Sequence, residues 1–335
     1  MKILVTGGCG FIGANFIRHL FSVHGDGVDI VNLDKLTYAG NPKNLAGIDA
    51  RPNYRFVQGD ICDADAVREA MADSEAVVNF AAETHVDRSI LGPDSFLRTD
   101  ILGVFVLLEE ALKRKVKAFV QVSTDEVYGE CLEGSFDEEA TLNPRSPYSA
   151  SKAGGDRLAY SYFHTYGAPV VITRASNNFG PYQYPEKLVP LFVTNALEDK
   201  PLPVYGDGMQ VRDWLFVEDH CRAIALLLEK GTPGEAYNIG GGNERTNMVI
   251  TRAILKTLGK PESLIQYVKD RPAHDRRYSL NFDKVRALGY VPSADFEAKL
   301  EATILWYRDH AEWWKELKSG EFRQYYETQY GKRIR

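Results

Sequence analysis

Two short stretches carry residue types able to move protons. Thr124-Asp125-Glu126 sets a hydroxyl and two adjacent carboxylates at the end of the apolar run Ala118–Ser123. Tyr148 and Lys152 stand four positions apart after the turn Pro144-Arg145-Ser146-Pro147. Positions i and i+4 share one face of a helix, so this spacing sets the Lys152 ammonium beside the Tyr148 phenol. A neighbouring cation favours the phenolate, which predicts a Tyr148 pKa lowered toward neutrality and a base for a hydroxyl proton. Two carboxylates in different protonation states can supply the acid and the base of an elimination. The ordinary alternatives are a solvated strand end and a tyrosine–lysine accident on an exposed helix face. The choice rests on the elements that would position these groups.

Those elements begin at the N-terminal end. The strand pattern Ile3–Thr6 runs into Gly7-Gly8-Cys9-Gly10-Phe11-Ile12-Gly13, and a helix is expected over Ala14–Phe21. Glycines let the backbone turn tightly against a pyrophosphate, and the helix N-terminus presents free N–H groups. The next strand, Val28–Leu33, ends at Asp34, about 20 positions beyond Gly13, where a carboxylate binds an adenosine ribose. A carboxylate there repels a 2′-phosphate, so the cofactor expected is NAD rather than NADP. Strands at Tyr54–Gln58, Ala76–Phe80, Ala118–Ser123 and Pro169–Arg174 alternate with helices near 64–72, 94–114 and from Tyr148. That rhythm predicts an α/β fold, a Rossmann-type doubly wound parallel sheet. Asp60 stands where it could reach the adenine edge. Ala81-Ala82-Glu83-Thr84-His85-Val86-Asp87 follows a strand end, where a ligand crevice belongs, and His85 reads as a polar residue lining it.

The composition narrows the class. The chain has 335 residues, 44% hydrophobic and 26% charged, with formal net charge −6, an ordinary globular profile. No basic patch suggests nucleic acid, and the short run Lys332-Arg333-Ile334-Arg335 is expected to fray. No apolar segment is long enough to span a bilayer. Met1–Val5 already reads as a strand, leaving no room for a signal peptide. Cys9, Cys62, Cys131 and Cys221 lack metal-ligand spacing and are read as reduced thiols of a cytoplasmic protein, and the seven histidines form no metal cluster.

Together these residues resemble the extended short-chain dehydrogenase/reductases, and within them the dTDP-glucose 4,6-dehydratases. The similarity runs nearly end to end, through Asp34–Asn41, Ala82–Ser89, Ser123–Gly129, Ser176–Pro181, Pro185–Leu188, Arg212–His220, Tyr237–Gly241 and Arg271–Tyr278. Thr124-Asp125-Glu126 decides between relatives. Hexose 4-epimerases of this family carry small or hydroxyl residues there, decarboxylases and GDP-mannose dehydratases have Ser in place of Asp125, and inverting dehydratases have Lys in place of Glu126. Two departures stand out: a short loop between Gly129 and Pro144, and Ala273 where Gly is more usual.

The resemblance implies transient oxidation of C4 with bound NAD+, removal of the C5 proton by Glu126, protonation of the departing C6 hydroxyl by Asp125, and hydride return to C6. Tyr148 would take the C4 hydroxyl proton, Thr124 would hold O4, and Lys152 would bind the nicotinamide ribose. Cofactor contacts are implied at Gly7, Gly10, Phe11, Ile12, Gly13, Asp34, Lys35, Thr37, Asp60, Ile61, Ala81, Ala82, Thr99, Tyr148, Lys152 and Asn178. Substrate contacts are implied at Thr84, His85, Asp87, Thr124, Asn177, Lys187, Leu188, Pro203, Tyr205, Arg212, Asn247, His274 and Asp275. A 4-epimerase, or the same dehydration of UDP-glucose, is the alternative. Residues 1–176, with 214–240 returning, should form the NAD domain, and 177–213 with 241–335 the nucleotide-sugar lobe. Phe296, Leu300, Ile304, Leu305, Trp306 and Trp313-Trp314 should pack the end of the chain on the body. Apolar stripes on the helices after Arg98 and from Tyr148 are expected to pair two chains in a homodimer.

Overall fold

Runs of β-branched and aliphatic residues build a sheet buried on both faces, as parallel strands covered by helices require. In the computed structural model, which describes residues 1–331, β1 (Lys2–Thr6), β2 (Asp29–Asp34), β3 (Tyr54–Gln58), β4 (Ala76–Asn79), β5 (Ala118–Thr124) and β6 (Val170–Ala175) alternate with helices. The chain then leaves this sheet for β7 (Asn177–Phe179), β8 (Leu202–Tyr205) and β9 (Val211–Phe216), and re-enters it with β10 (Ala236–Ile239). β11 (Glu244–Thr246) and β12 (Ile265–Val268) complete the strands. The central sheet has seven strands in the order β10-β6-β5-β4-β1-β2-β3, every pair parallel. The fold is Rossmann-type α/β. Order reverses between β1 and β4, and ligands of open α/β sheets bind outside the carboxyl ends at such a switch point.

The first helix, Phe11–His24, starts three residues earlier than its apolar pattern, with Gly10 as its N-cap. The helical stretch expected over 94–114 is interrupted by a π-helical turn, Arg98–Gly103, between Asp94–Leu97 and Val104–Arg114. Its apolar residues divide between two faces: Leu107 and Leu108 are fully buried, while Phe105 is exposed. The helix Pro147–Tyr166 has a capping box in which Ser146 and Ser149 exchange side-chain and backbone bonds, with Pro147 at the first turn.

The second lobe holds the small sheets β11-β9-β7 and β12-β8. Trp214–Phe216 pairs with Asn177–Phe179, so the chain returns to the central sheet with the helix Val217–Lys230 rather than from Trp214. Phe296, Leu300, Ile304 and Trp314 are buried in this lobe's own core, while Leu305, Trp306 and Trp313 are half-buried at its edge. The basic run Lys332–Arg335 lies outside the described residues. Among the described residues no helix is long and apolar enough to cross a membrane, all four cysteines are free, and no group of three or more metal-ligating side chains is assembled.

Candidate active site

The carboxyl ends of β1, β2, β4, β5 and β6 open into one cavity of about 280 Å³. At its β1 end, Gly7 turns with φ +67°, and a Cβ there would stand 2.7 Å from the Ala81 backbone nitrogen. A Cβ on Gly13 would stand 2.4 Å from the Gly7 carbonyl oxygen. Only glycine permits this turn and leaves the cradle open. Asp34, at the end of β2, accepts from the Leu36 and Cys9 backbone N–H groups at 2.8 and 2.9 Å, so its carboxylate is held in place at the cavity wall. Asp60 pairs with Lys35 at 2.7 Å and accepts from Cys62 N–H. All sixteen residues implied for cofactor binding line this cavity. Ser123 Oγ, Asn177 Oδ1 and His220 Nε2, on residues of its wall, are buried without a hydrogen-bond partner in the protein. Buried polar atoms want partners, and a dinucleotide with a nicotinamide amide fits a cradle of this shape and donor set.

The proton-moving groups face the same space. β5 ends at Thr124, whose hydroxyl accepts from Glu126 N–H (3.3 Å) and donates to Asp125 Oδ1 (3.0 Å). Burial, and then the charge of Glu126, pushes the Asp125 carboxyl up to about 8. Burial also raises Glu126, but Arg271, Lys187 and Arg212 pull it back toward the carboxylate. Two adjacent acids thus stand in different fields: Asp125 holds a proton at neutral pH, while three cations oppose the rise at Glu126.

Tyr148 lines the cavity, but not in the state its spacing predicts. Burial first, then Glu126 and Asp100, raise its pKa well above the ordinary phenol value. The Lys152 ammonium is turned instead to the Val122 carbonyl, donating at 2.8 Å. The i,i+4 rule places two side chains on a face; it does not say which acceptor the longer one finds.

The residues implied for substrate divide. Thr84, Thr124, Asn177 and Lys187 line the cavity. Asp87, Tyr205, Arg212, His274 and Asp275 form a neighbouring cluster beyond Glu126, in which Tyr205 donates to Asp87 (2.8 Å) and Arg212 to the Asp275 carbonyl (2.9 Å). Arg271 stands 3.7 Å from Asp87. Asn247 joins the cluster by its backbone bond to Gln210, whose side chain lies 3.4 Å from His274. Pro203 is buried in β8, and Leu188 opens the helix Leu188–Leu197. His85 does not line the crevice. It is 6% exposed, wedged between the Glu186 carbonyl and the Tyr325 hydroxyl, with its pKa driven down by burial.

Some wall residues carry no signal in local sequence. Glu186 accepts from Tyr38 and Arg88, each at 2.8 Å, and His220 bonds Asn178 Oδ1 at 3.0 Å with burial lowering its pKa to about 3. Both sit inside motifs that the chain shares with its family, which is the one sequence signal that could have marked them.

A family model described as GDP-mannose 4,6 dehydratase matches residues 4–303. A dTDP-glucose 4,6-dehydratase of Streptomyces niveus is 52% identical over 95% of this chain and 96% of that protein. The chain belongs to the dTDP-glucose 4,6-dehydratase family. The Escherichia coli enzyme of that name is 45% identical over 96% of this chain and 98% of its own length. Among solved structures, DesIV, the dTDP-glucose 4,6-dehydratase of Streptomyces venezuelae crystallised with NAD and dTDP bound, superposes with a TM-score of 0.93 at 51% identity, covering 95% of this chain and all of that one. A UDP-glucuronic acid 4-epimerase from Bacillus cereus shares the fold at TM-score 0.86 but only 29% identity, over 92% of this chain and 99% of that one. The same scaffold thus occurs in proteins named for two reactions.

Proposed function

We propose that this chain converts dTDP-glucose to dTDP-4-keto-6-deoxyglucose with NAD held in the cavity, a lyase reaction overall. The observation that carries this reading is the split between Asp125 and Glu126. A C5–H bond becomes acidic only when C4 is a ketone, and a neutral acid beside an anionic base is what elimination of water across C5 and C6 then needs. Bound NAD+ supplies the hydride acceptor for C4 and the donor that returns the hydride to C6. Tyr148 takes the C4 hydroxyl proton, with Thr124 oriented beside it. Only the phenolate can accept that proton, so Tyr148 must first give up its own, against the burial and the Glu126 charge that hold it protonated. Glu126 then removes the C5 proton and Asp125 gives its proton to the leaving C6 hydroxyl; as the hydride returns to C6, a proton returns to C5. Lys187, Arg212 and Arg271 present three cations to the space beyond Glu126, suited to a nucleoside diphosphate. Asp34, fixed by two backbone N–H groups, supports NAD over NADP.

The enzyme works in the cytoplasm as a homodimer in this reading. Four free thiols fit a reducing compartment. Leu97, Leu102 and Phe105 are 51%, 43% and 41% exposed around the π turn, an apolar face suited to a symmetric contact.

Three variants test the chemistry. Adding dTDP-glucose to Glu126→Gln should still reduce bound NAD+, seen as NADH absorbance, without exchange of the C5 hydrogen with solvent. Asp125→Asn should oxidise C4 and lose C6 water slowly. Tyr148→Phe should not reduce NAD+ at all. Losses of about 10²–10⁴-fold in the affected step are expected. Wild-type turnover in both carboxylate variants would overturn the dehydratase reading in favour of a 4-epimerase, which needs only Tyr148, Lys152 and NAD.

A further inference from the structure

Asp100 has no part in the chemistry above, yet it is 2% exposed and sits in the π-helical turn Arg98–Gly103. Such turns insert one extra residue into a helix and concentrate at functional sites. Asp100 Oδ2 accepts from Ser151 Oγ at 2.6 Å, and Oδ1 from the Glu83 backbone N–H at 3.0 Å. Ser151 immediately precedes Lys152, and Glu83 lies in the cavity wall. The helix Pro147–Tyr166 rests directly on the turn: a Cβ on Gly155 would stand 2.3 Å from the Asp100 carbonyl oxygen.

The charge of Lys152 needs an account. Its side chain is buried, its ammonium donates to Val122 O, and among the described residues no carboxylate makes an ion pair with it within 4.0 Å. The acids that oppose the burial penalty are Asp100 first and then Asp156, on Lys152's own helix. Asp156 is already committed to Arg174 at 2.8 Å and Arg157 at 2.6 Å. Among the described residues no cation makes an ion pair with Asp100 within 4.0 Å, and the groups that share its surroundings are Lys152, Tyr148 and Glu83, with Asp125 and Glu126 also acting on Tyr148. We propose that Asp100 is a positioning residue that seats the Tyr148–Lys152 helix through Ser151 and supplies the negative charge that keeps the buried Lys152 cationic. Burial lifts the Asp100 carboxyl to about 6, with Lys152 opposing the rise, so Asp100 carries its charge at neutral pH. The role rests on the proposed oxidation step, in which Lys152 holds the nicotinamide ribose as a cation.

Asp100→Asn separates charge from contact. An asparagine Oδ1 accepts from Glu83 N–H and its Nδ2 donates to Ser151 Oγ, whose one hydrogen then turns from residue 100 to the Tyr148 carbonyl 2.8 Å away. Heteronuclear NMR of lysine-labelled protein, with Lys152 assigned by Lys152→Met, reads the ammonium without any substrate. The Lys152 titration should move to lower pH in Asp100→Asn and stay in place in Ser151→Ala. The alkaline limb of NAD+ reduction should move the same way, in Asp100→Asn alone. A Lys152 titration unchanged by Asp100→Asn overturns the proposal, whatever the substrate proves to be. The wild type gives an independent reading if that variant does not fold: the Lys152 resonance should show a second inflection near pH 6 as Asp100 takes a proton, and a single inflection overturns the proposal as surely.

Discussion

Asp125 and Glu126 are neighbours of one chemical type, and their difference comes from position within a few ångströms. Burial and Glu126 both disfavour the charge of Asp125, while Arg271, Lys187 and Arg212 favour that of Glu126. An acid whose folded pKa lies above its unfolded value binds more protons when folded, so stability falls as pH rises through the window between the two. For Asp125 that window runs from 3.8 to about 8. Asp125→Asn removes the penalty, so its stability relative to wild type should grow across the window and level off above it. Chemical denaturation of the substrate-free protein at several pH values checks this. A constant difference across the window would mean that Asp125 ionises freely in the folded protein. Alkaline pH should also slow elimination of water, as the proton that Asp125 must give is lost.

At the scale of elements, the helix Pro147–Tyr166 is held by its cap, by glycines and by the π turn. Gly155 marks where it touches the turn, and Gly155→Ala would force the helix from the Asp100 carbonyl or distort the turn. Overpacking of this kind typically costs about 1–3 kcal/mol. The variant should lose that much in a urea titration and reduce NAD+ more slowly in stopped flow. The loop carrying Arg271 shows the opposite situation. Ala273 sits at φ +50°, in the left-handed region where a Cβ is unfavourable, and its side chain is exposed. Ala273→Gly should therefore stabilise the protein by about 0.5–1 kcal/mol, the relief exceeding the entropy that glycine adds to the unfolded chain. An unchanged denaturation midpoint would show that the loop carries no such strain.

Across the whole molecule, one sheet positions the cofactor cradle and the acid–base groups, and a separately packed lobe brings the cations. The central sheet is packed on both faces, and the lobe has a core of its own around Phe296, Ile304 and Trp314. Leu97, Leu102 and Phe105, around the π turn, are left exposed outside these cores. Phe105→Arg places a charge in that face without disturbing any of them, and light scattering should show a monomer where the wild type is a dimer. An unaltered mass would put the contact elsewhere.

The sequence alone determined the strand–glycine–helix opening, Asp34, the alternation that makes a parallel sheet, and the pairing of Thr124-Asp125-Glu126 with Tyr148 and Lys152. Each is a local pattern: glycines answer a backbone need, alternation answers burial on two faces, and strand ends carry chemistry because the sheet opens there. Tertiary structure decided what local pattern does not encode. Lys152 turns to Val122 rather than Tyr148, His85 is wedged behind Glu186, and a π turn delivers Asp100 to Ser151. Burial and the charges contributed by distant segments set protonation, so a spacing rule that saw only Lys152 placed the Tyr148 pKa on the wrong side of its ordinary value. Neighbours brought together by folding are read from no window of sequence, and here they decide which of two adjacent acids keeps its proton.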